Sequence, residues 1–508
     1  GNDTLIGGAG NDTLWGQTGN DTITTGAGSD NSDGGLGDDT IYVTDKSGSF
    51  TDTISASAGT DTLDIDYSGI SNLGSFTISR DSGTVTLTDS SGGAISYDVA
   101  NLENLTVNDI AYTKVGSNAY WGAAEKALYF YAINGISSSE ILALSGLSAS
   151  DNLTIKGTDE GDQYANLNID RSSQLTGNIT VDLEGGNDDL YSAKLKDGDS
   201  IDMGAGNDAV YLMLTGSNGT PTISAANISK LDGGVGIDTL GFEESGTNTG
   251  ELTLTTAGAT NFENLIGTAG AETIKGDNNA NVLSGLNGLD TIYGYGGNDT
   301  LYADKSSSTN QTSNDILYGG AGNDTLYGNN GDNTLDGGTG ADTITSGGGS
   351  DTIVLRSGDG GTTQSAGDTV TDFTDGTDSL GLDSSLTFTD LTIEQSGSDT
   401  VIKEGSDYLA TLTGISASNI TVLDFQSTAT TDTTFTGTSD NDTLIGGAGG
   451  DTFNGGAGSD TLLGWGGNDT FNIRSKTGSY ADTVNGGAGT DTLDIDYSGI
   501  SNLGSFTI

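Results

Sequence analysis

Through residues 1–66, 263–354 and 431–498 one apolar side chain recurs in a nine-residue rhythm, and nearly everything between is small or polar. Leu5, Leu14, Ile23 and Ile41 carry the rhythm in the first block, Ile274, Leu301, Leu326 and Ile353 in the second, and Leu444, Phe453 and Phe471 in the third; Ser32 breaks it. A unit of about three extended residues and six turn residues cannot bury its one apolar side chain alone, so copies must stack. Two units make one coil of 18 residues, with turns on alternating edges. The pattern predicts an all-β fold built of parallel solenoid blocks.

Between the blocks the period shortens to two. Residues 67–113 and 355–430 alternate apolar and polar positions and are rich in β-branched residues, which reads as β-sandwich-like linking and capping modules. Residues 114–262 read as an irregular β region with scattered roll-like turns, and AYWGAAEKALYFYAING within it is compatible with a short helix or a hairpin. A longer repeat overlies these blocks. Residues 58–78 return unchanged as 488–508, and NDTLIGGAG returns at Asn441, so residues 499–508 are expected to begin another β module. The expectation is a tandem array of long modules, of which this chain, starting at Gly1, is an internal segment.

Charge supplies the chemistry. The 508 residues hold 71 Asp+Glu against 15 Lys+Arg, a formal charge of −56, with no cysteine and no histidine. Such a chain is repelled by nucleic acid and anionic membranes, offers no thiolate or imidazole, and should not compact without counter-charge. The acids are not scattered. One stands two residues before nearly every apolar position: Asp3, Asp12, Asp21, Asp30 and Asp39; Asp290, Asp299, Asp315, Asp324, Asp342 and Asp351; Asp442, Asp451, Asp460 and Asp469. GGND, GAGND and GVGID place Asp188, Asp208 and Asp238 similarly. Stacked strands lie about 4.7–4.9 Å apart, and two carboxylates at that spacing repel by roughly 3–4 kcal/mol at an effective dielectric near 20. Calcium takes oxygens at about 2.3–2.6 Å, so one ion would bridge two stacked aspartates, with turn carbonyls completing its shell. On this reading all eighteen of these aspartates are candidate Ca²⁺ ligands.

GGAGNDTLW, GGAGNDTLY and GGAGSDTLL resemble the G-G-x-G-x-D-x-U-x nonapeptide of RTX proteins. The resemblance implies parallel β-rolls that bind several Ca²⁺ ions, export by a Gram-negative type I machine, and folding outside the cell. DTVTDFTDGTDSLGLD and TGISASNITVLDF are similar to the β-rich module that commonly follows RTX arrays. Glu272, Asn281 and Asn333 depart from the motif, and weaker sites are expected there.

No GxxxxGK[ST] phosphate loop occurs and no catalytic cluster stands out, so no enzyme is expected. Asn-Asp-Thr sequons are by-products of the repeat. Trp15, Trp121 and Trp465 would stack on sugar or a neighbouring subunit, or merely pack. The expected role is a secreted structural repeat protein of a surface layer, matrix or filament. It would self-associate, with cell-surface polysaccharide a further possible partner, and neither nucleic acid nor membrane insertion is involved. Alternatives are the extender of a giant adhesin and the calcium-binding tail of a secreted enzyme or toxin.

Overall fold

The computed structural model describes residues 1–81, 83–115, 119–130, 147–148, 150–158, 163–164, 176–193, 198–212, 230–242, 250–256, 259–304, 311–474, 476 and 480–496. Among them there is no α-helix, and no helix long and apolar enough to cross a membrane. The chain divides into two compact units, Gly1–Gly246 with Leu254–Asn264, and Thr247–Thr253 with Leu265–Ile508.

The first unit begins as a two-sheet solenoid. Strands Thr4–Ala9, Thr22–Ala27, Thr40–Thr44 and Thr62–Asp66 pair in parallel, stacking Leu5, Ile23, Ile41 and Leu63 in register. Strands Thr13–Trp15, Asn31–Leu36 and Thr51–Ala58 form the facing sheet. The apolar residues point inward because a strand turns alternate side chains to opposite faces; Ile23, Ile41 and Leu63 are fully buried. Ser32 occupies the inward slot between Leu14 and Ile54, its Oγ buried without a hydrogen bond. Glycine allows the coils to stack this closely: Gly26 has φ +82°, and a Cβ there would meet the Gly8 carbonyl oxygen at 2.2 Å.

The segments expected as separate sandwich-like modules continue these same sheets. Ala94–Asp98 pairs in parallel with Thr51–Ala58, and an antiparallel meander of Phe76–Asp81, Thr84–Asp89 and Ala94–Asp98 prolongs that sheet. Asn104–Val107 pairs in parallel with Thr62–Asp66. The roll's open edge thus receives strands from the following segment, which covers main-chain groups that would otherwise template pairing. AYWGAAEKALYFYAING is a hairpin over its described part, Ala119–Gly122 against Ala127–Phe130; residues 131–135 of that stretch lie outside the described residues.

The described residues between 114 and 262 are more regular than the sequence suggests. Their described strands Ile179–Glu184, Ser200–Asp202, Lys230–Asp232 and Ala259–Thr260 pair in parallel, and so do Asp189–Ala193, Ala209–Leu212 and Thr239–Phe242. The coils are longer than eighteen residues and vary in length, which hides the period.

In the second unit, Thr273–Lys275, Thr291–Gly296, Ile316–Ala321, Thr334–Thr339 and Thr352–Leu355 stack in parallel, and Val282–Ser284, Thr300–Tyr302, Thr325–Tyr327 and Thr343–Thr345 face them. Residues 355–430 again extend both sheets: Ser379–Leu382 joins Thr352–Leu355, Asp368–Val370 joins Thr343–Thr345, and Asp407–Leu412 turns the second sheet antiparallel against Asp399–Glu404. A third set of coils stacks Phe435, Phe453 and Phe471, their rings offset-parallel with centroids 5.0 and 4.8 Å apart. Residues 497–508, the expected start of a further β module among them, lie outside the described residues.

Candidate metal centres

The turns build their site from main chain outward. In the regular coils a glycine-rich turn closes on an aspartate or its substitute, and these residues of successive coils are tied into ladders. The Asp3 N–H donates to Asp21 Oδ1 at 2.7 Å, Asp21 N–H to Asp39 Oδ1 at 2.8 Å, and Asp39 N–H to Asp61 Oδ1 at 2.8 Å. On the other edge Asp12 N–H reaches Asp30 Oδ1 and Asp30 N–H reaches Asp52 Oδ1. The scattered motifs belong to the same construction, Asp188 N–H donating to Asp208 Oδ1 and Asp208 N–H to Asp238 Oδ1. In the second unit the rungs run Glu272, Asp290, Asp315, Asn333, Asp351, Asp378 on one edge and Asn281, Asp299, Asp324, Asp342, Asp368 on the other. Asp442, Asp460 and Asp482 form one edge of the third set, and Asp451, Asp469 and Asp491 the other.

This corrects the picture of two bare carboxylates facing each other across an ion. Within each ladder every carboxylate after the first gives one oxygen to an amide of the preceding coil, and the other lies toward its own turn. That second oxygen, Oδ2, is buried without a hydrogen bond in Asp12, Asp21, Asp39, Asp208, Asp238, Asp290, Asp299, Asp324, Asp342, Asp351 and Asp469. A buried carboxylate oxygen left unpaired is expensive, so a regular series of them marks places made for a cation. The space fits. The point where a Cβ on Gly16 would lie is 2.4 Å from Asp21 Oδ2 and 2.4 Å from the Gly34 carbonyl oxygen of the next coil; at Gly294 the same distances to Asp299 Oδ2 and Gly319 O are 2.4 Å. Glycine leaves a cradle open between a carboxylate and a neighbouring coil's carbonyl. Among the described residues no three acids converge on one point, so carbonyls would supply most of the oxygens that calcium requires.

Electrostatics agree. Burial pushes the carboxyls of Asp238, Asp299 and Asp351 up to about 7, against the amide each one accepts and with help from Asp208 and Glu263, from Asp324 and from Asp378. Burial and the adjacent Glu272 raise Asp290 as well. Without a cation these groups resist ionising.

Not every predicted position is open. Asp315 Oδ2 accepts from Asn329 Nδ2 at 2.7 Å and Ser313 Oγ at 3.0 Å. Asp442 Oδ2 accepts the Thr438 N–H, and Asp451 Oδ2 the Gly447 N–H. Asp3 is exposed at the outer coil. Asp30 and Asp460 are closed by lysine. Lys46 Nζ donates to Asp30 Oδ2 at 2.7 Å, Asp52 Oδ1 at 2.9 Å and Gly28 O at 2.9 Å, and Lys476 Nζ to Asp460 Oδ2 at 2.6 Å, Asp482 Oδ1 at 2.9 Å and Gly458 O at 3.1 Å. Asn333 is closed by itself: Oδ1 takes the Asp315 N–H while Nδ2 donates to Gly331 O at 2.9 Å. Glu272 keeps Oε1 on Thr268 Oγ1, leaving Oε2 without a hydrogen bond.

Sequence reasoning missed the glutamates that close two of the ladders. Asp61 N–H donates to Glu103 Oε2 at 2.9 Å, and Asp238 N–H to Glu263 Oε2 at 2.8 Å. A signal was present, since NLENL (101–105) and NFENL (261–265) are near copies outside the nonapeptide. Asp368 and Asp378 were hidden by longer coils. The tryptophans divide: Trp121 is 1% exposed in the core, Trp465 donates Nε1–H to Phe425 O at 2.7 Å, and Trp15 is 64% exposed.

A family profile described as the RTX calcium-binding nonapeptide repeat in four copies matches residues 1–31, 265–305, 311–344, 327–360, 436–471 and 476–494. The chain carries RTX calcium-binding repeats. Calcium is therefore the cation that the RTX turns are built to hold, in several copies. The RTX matches fall on the regular coils, and the longer coils of residues 114–262 lie outside them. No curated protein matches the chain. Among solved structures it is similar to the extracellular lipase LipA from Serratia marcescens, at 15% identity over 84% of this chain and 40% of that one, with a TM-score of 0.17. The chain thus spans less than half the length of that protein.

Proposed function

We propose that this calcium-binding repeat protein is an extracellular structural component of a cell-surface layer, matrix or filament, exported by a type I route and not an enzyme. Calcium drives its folding and then its assembly with copies of the same chain. One observation carries the reading: the repeated buried Oδ2 atoms that have no hydrogen bond. A formal charge of −56 distributed along such ladders leaves the chain extended in calcium-poor surroundings and lets it compact where calcium is plentiful. The unchanged return of residues 58–78 at 488–508 supports tandem construction, which suits a polymer.

The test is circular dichroism and light scattering of the purified chain across a calcium titration. Little β signal in chelator, full β signal at millimolar calcium and calcium-dependent growth in size are expected. A spectrum indifferent to chelator would overturn calcium-driven folding. Folding to a lasting monomer would favour the extender of a giant adhesin instead.

A further inference from the structure

Among the described residues two lysine side chains are sealed from solvent, those of Lys46 and Lys476. Each stands where the glycine turn gives way to another sequence, DKSGSFTD (45–52) and SKTGSYAD (475–482), with an aromatic ring over the ammonium, Phe50 at 5.2 Å and Tyr480 at 5.3 Å. An ammonium has three donors, and here each finds three acceptors: the carbonyl two residues before an aspartate, the second oxygen of that aspartate, and the aspartate one coil on. The repeat register presents the same three groups at turns such as those of Asp21, Asp39 and Asp324, whose Oδ2 atoms have no hydrogen bond. At Asn333, where the carboxylate is missing, Nδ2 fills the place by donating to the equivalent carbonyl of Gly331.

We propose that Lys46 and Lys476 are built-in cations standing in calcium positions, so that their turns close without metal. Calcium and an amine cannot share one set of acceptors, and the inserted residues carry the amine into the place that glycine elsewhere keeps open. The two turns are then indifferent to the calcium concentration and supply the first and third blocks with one closed rung each, beside which calcium-dependent coils order. The inference rests on the calcium reading of the other turns.

The test uses the full chain, comparing wild type with the Lys46→Met, Lys476→Met double variant by equilibrium dialysis against calcium and by thermal unfolding at low and high calcium. One further calcium ion per vacated turn is expected, with stability lost at micromolar calcium and largely regained at millimolar calcium. Unchanged stoichiometry, with a loss that calcium does not restore, would overturn the proposal and leave two ordinary ion pairs. Should the methionine variant not fold, Asp30→Asn and Asp460→Asn, at the aspartates whose Oδ2 the lysines hold, answer in its place. Calcium stoichiometry should stay at the wild-type value, because these turns hold no ion; loss of one ion per substitution would refute the idea. A wild-type chain that takes up no calcium would defeat the reading of the other turns and not the placement of the lysines.

Discussion

The backbone N–H of Asp324 donates to Asp342 Oδ1 at 2.7 Å, while Asp342 Oδ2 is buried without a hydrogen bond. One oxygen is thereby fixed and the other aimed, so the amide of one coil orients the free ligand oxygen of the next. Asp324 does the same for Asp299, accepting its N–H at 2.7 Å.

Asp324→Ala should therefore weaken calcium binding at its turn by roughly 10- to 100-fold, the equivalent of losing one charged hydrogen-bonding group. Asn333→Ala should cost stability and little affinity, because Asn333 already fills its turn with its own amide. Isothermal titration calorimetry of both variants separates the two outcomes. Equal losses would show that the open Oδ2 atoms do not mark the calcium turns.

The raised carboxyls set a pH dependence whose sign runs opposite to the usual acid. Asp238, Asp299 and Asp351 sit at about 7 in the folded, metal-free chain against about 3.9 when unfolded. Between those values the folded chain binds more protons, so metal-free stability falls as pH rises from about 4 to about 7. In chelator, β structure should thus be greater at pH 5 than at pH 8. Calcium must displace those protons, so its uptake near pH 6 should release protons and its affinity should rise toward pH 8. Heats measured in buffers of different ionisation enthalpy would expose a false sign.

Much of the site was legible in sequence because a side chain repeated in register must stack on itself. Asp3 to Asp39 and Asp290 to Asp351 could be placed on two edges from spacing alone. What spacing cannot give is the division of labour within a carboxylate: that Oδ1 serves the neighbouring amide follows from the pitch of the coils. Nor could it show that residues 67–113 and 355–430 prolong the rolls, since alternation fits a strand in any sheet. Glu103 and Glu263 escaped for a related reason. Each lies beyond an interrupted coil, where the ladder is closed by a longer side chain at a position with no fixed offset.

Leu326 lies in the stack between Leu301 and Ile344 and is fully buried. Truncation there removes contacts on both sides at once, since each coil packs only on its neighbours. Leu326→Ala should cost about 2–5 kcal/mol, whereas Leu289→Ala, at a 64% exposed position, should change stability by less than about 0.5 kcal/mol. Urea denaturation in saturating calcium measures both.

The Glu263 carboxylate closes the ladder of Asp188, Asp208 and Asp238 by accepting the last N–H. Glu263→Ala leaves the buried Asp238 amide without that acceptor, a cost of about 1–3 kcal/mol. Glu263→Gln keeps an acceptor oxygen of the same reach and removes the charge that helps raise the Asp238 carboxyl. The two substitutions should therefore part company. Hydrogen exchange in saturating calcium should show the Asp238 amide losing protection in the alanine variant and keeping most of it in the glutamine variant, while the rungs of Asp21 and Asp39 stay unchanged because coupling passes only between adjacent coils. Glutamine should also lower the apparent pKa of Asp238 in the metal-free chain. If both variants opened the Asp238 amide equally, charge and not the hydrogen bond would be what ends the ladder.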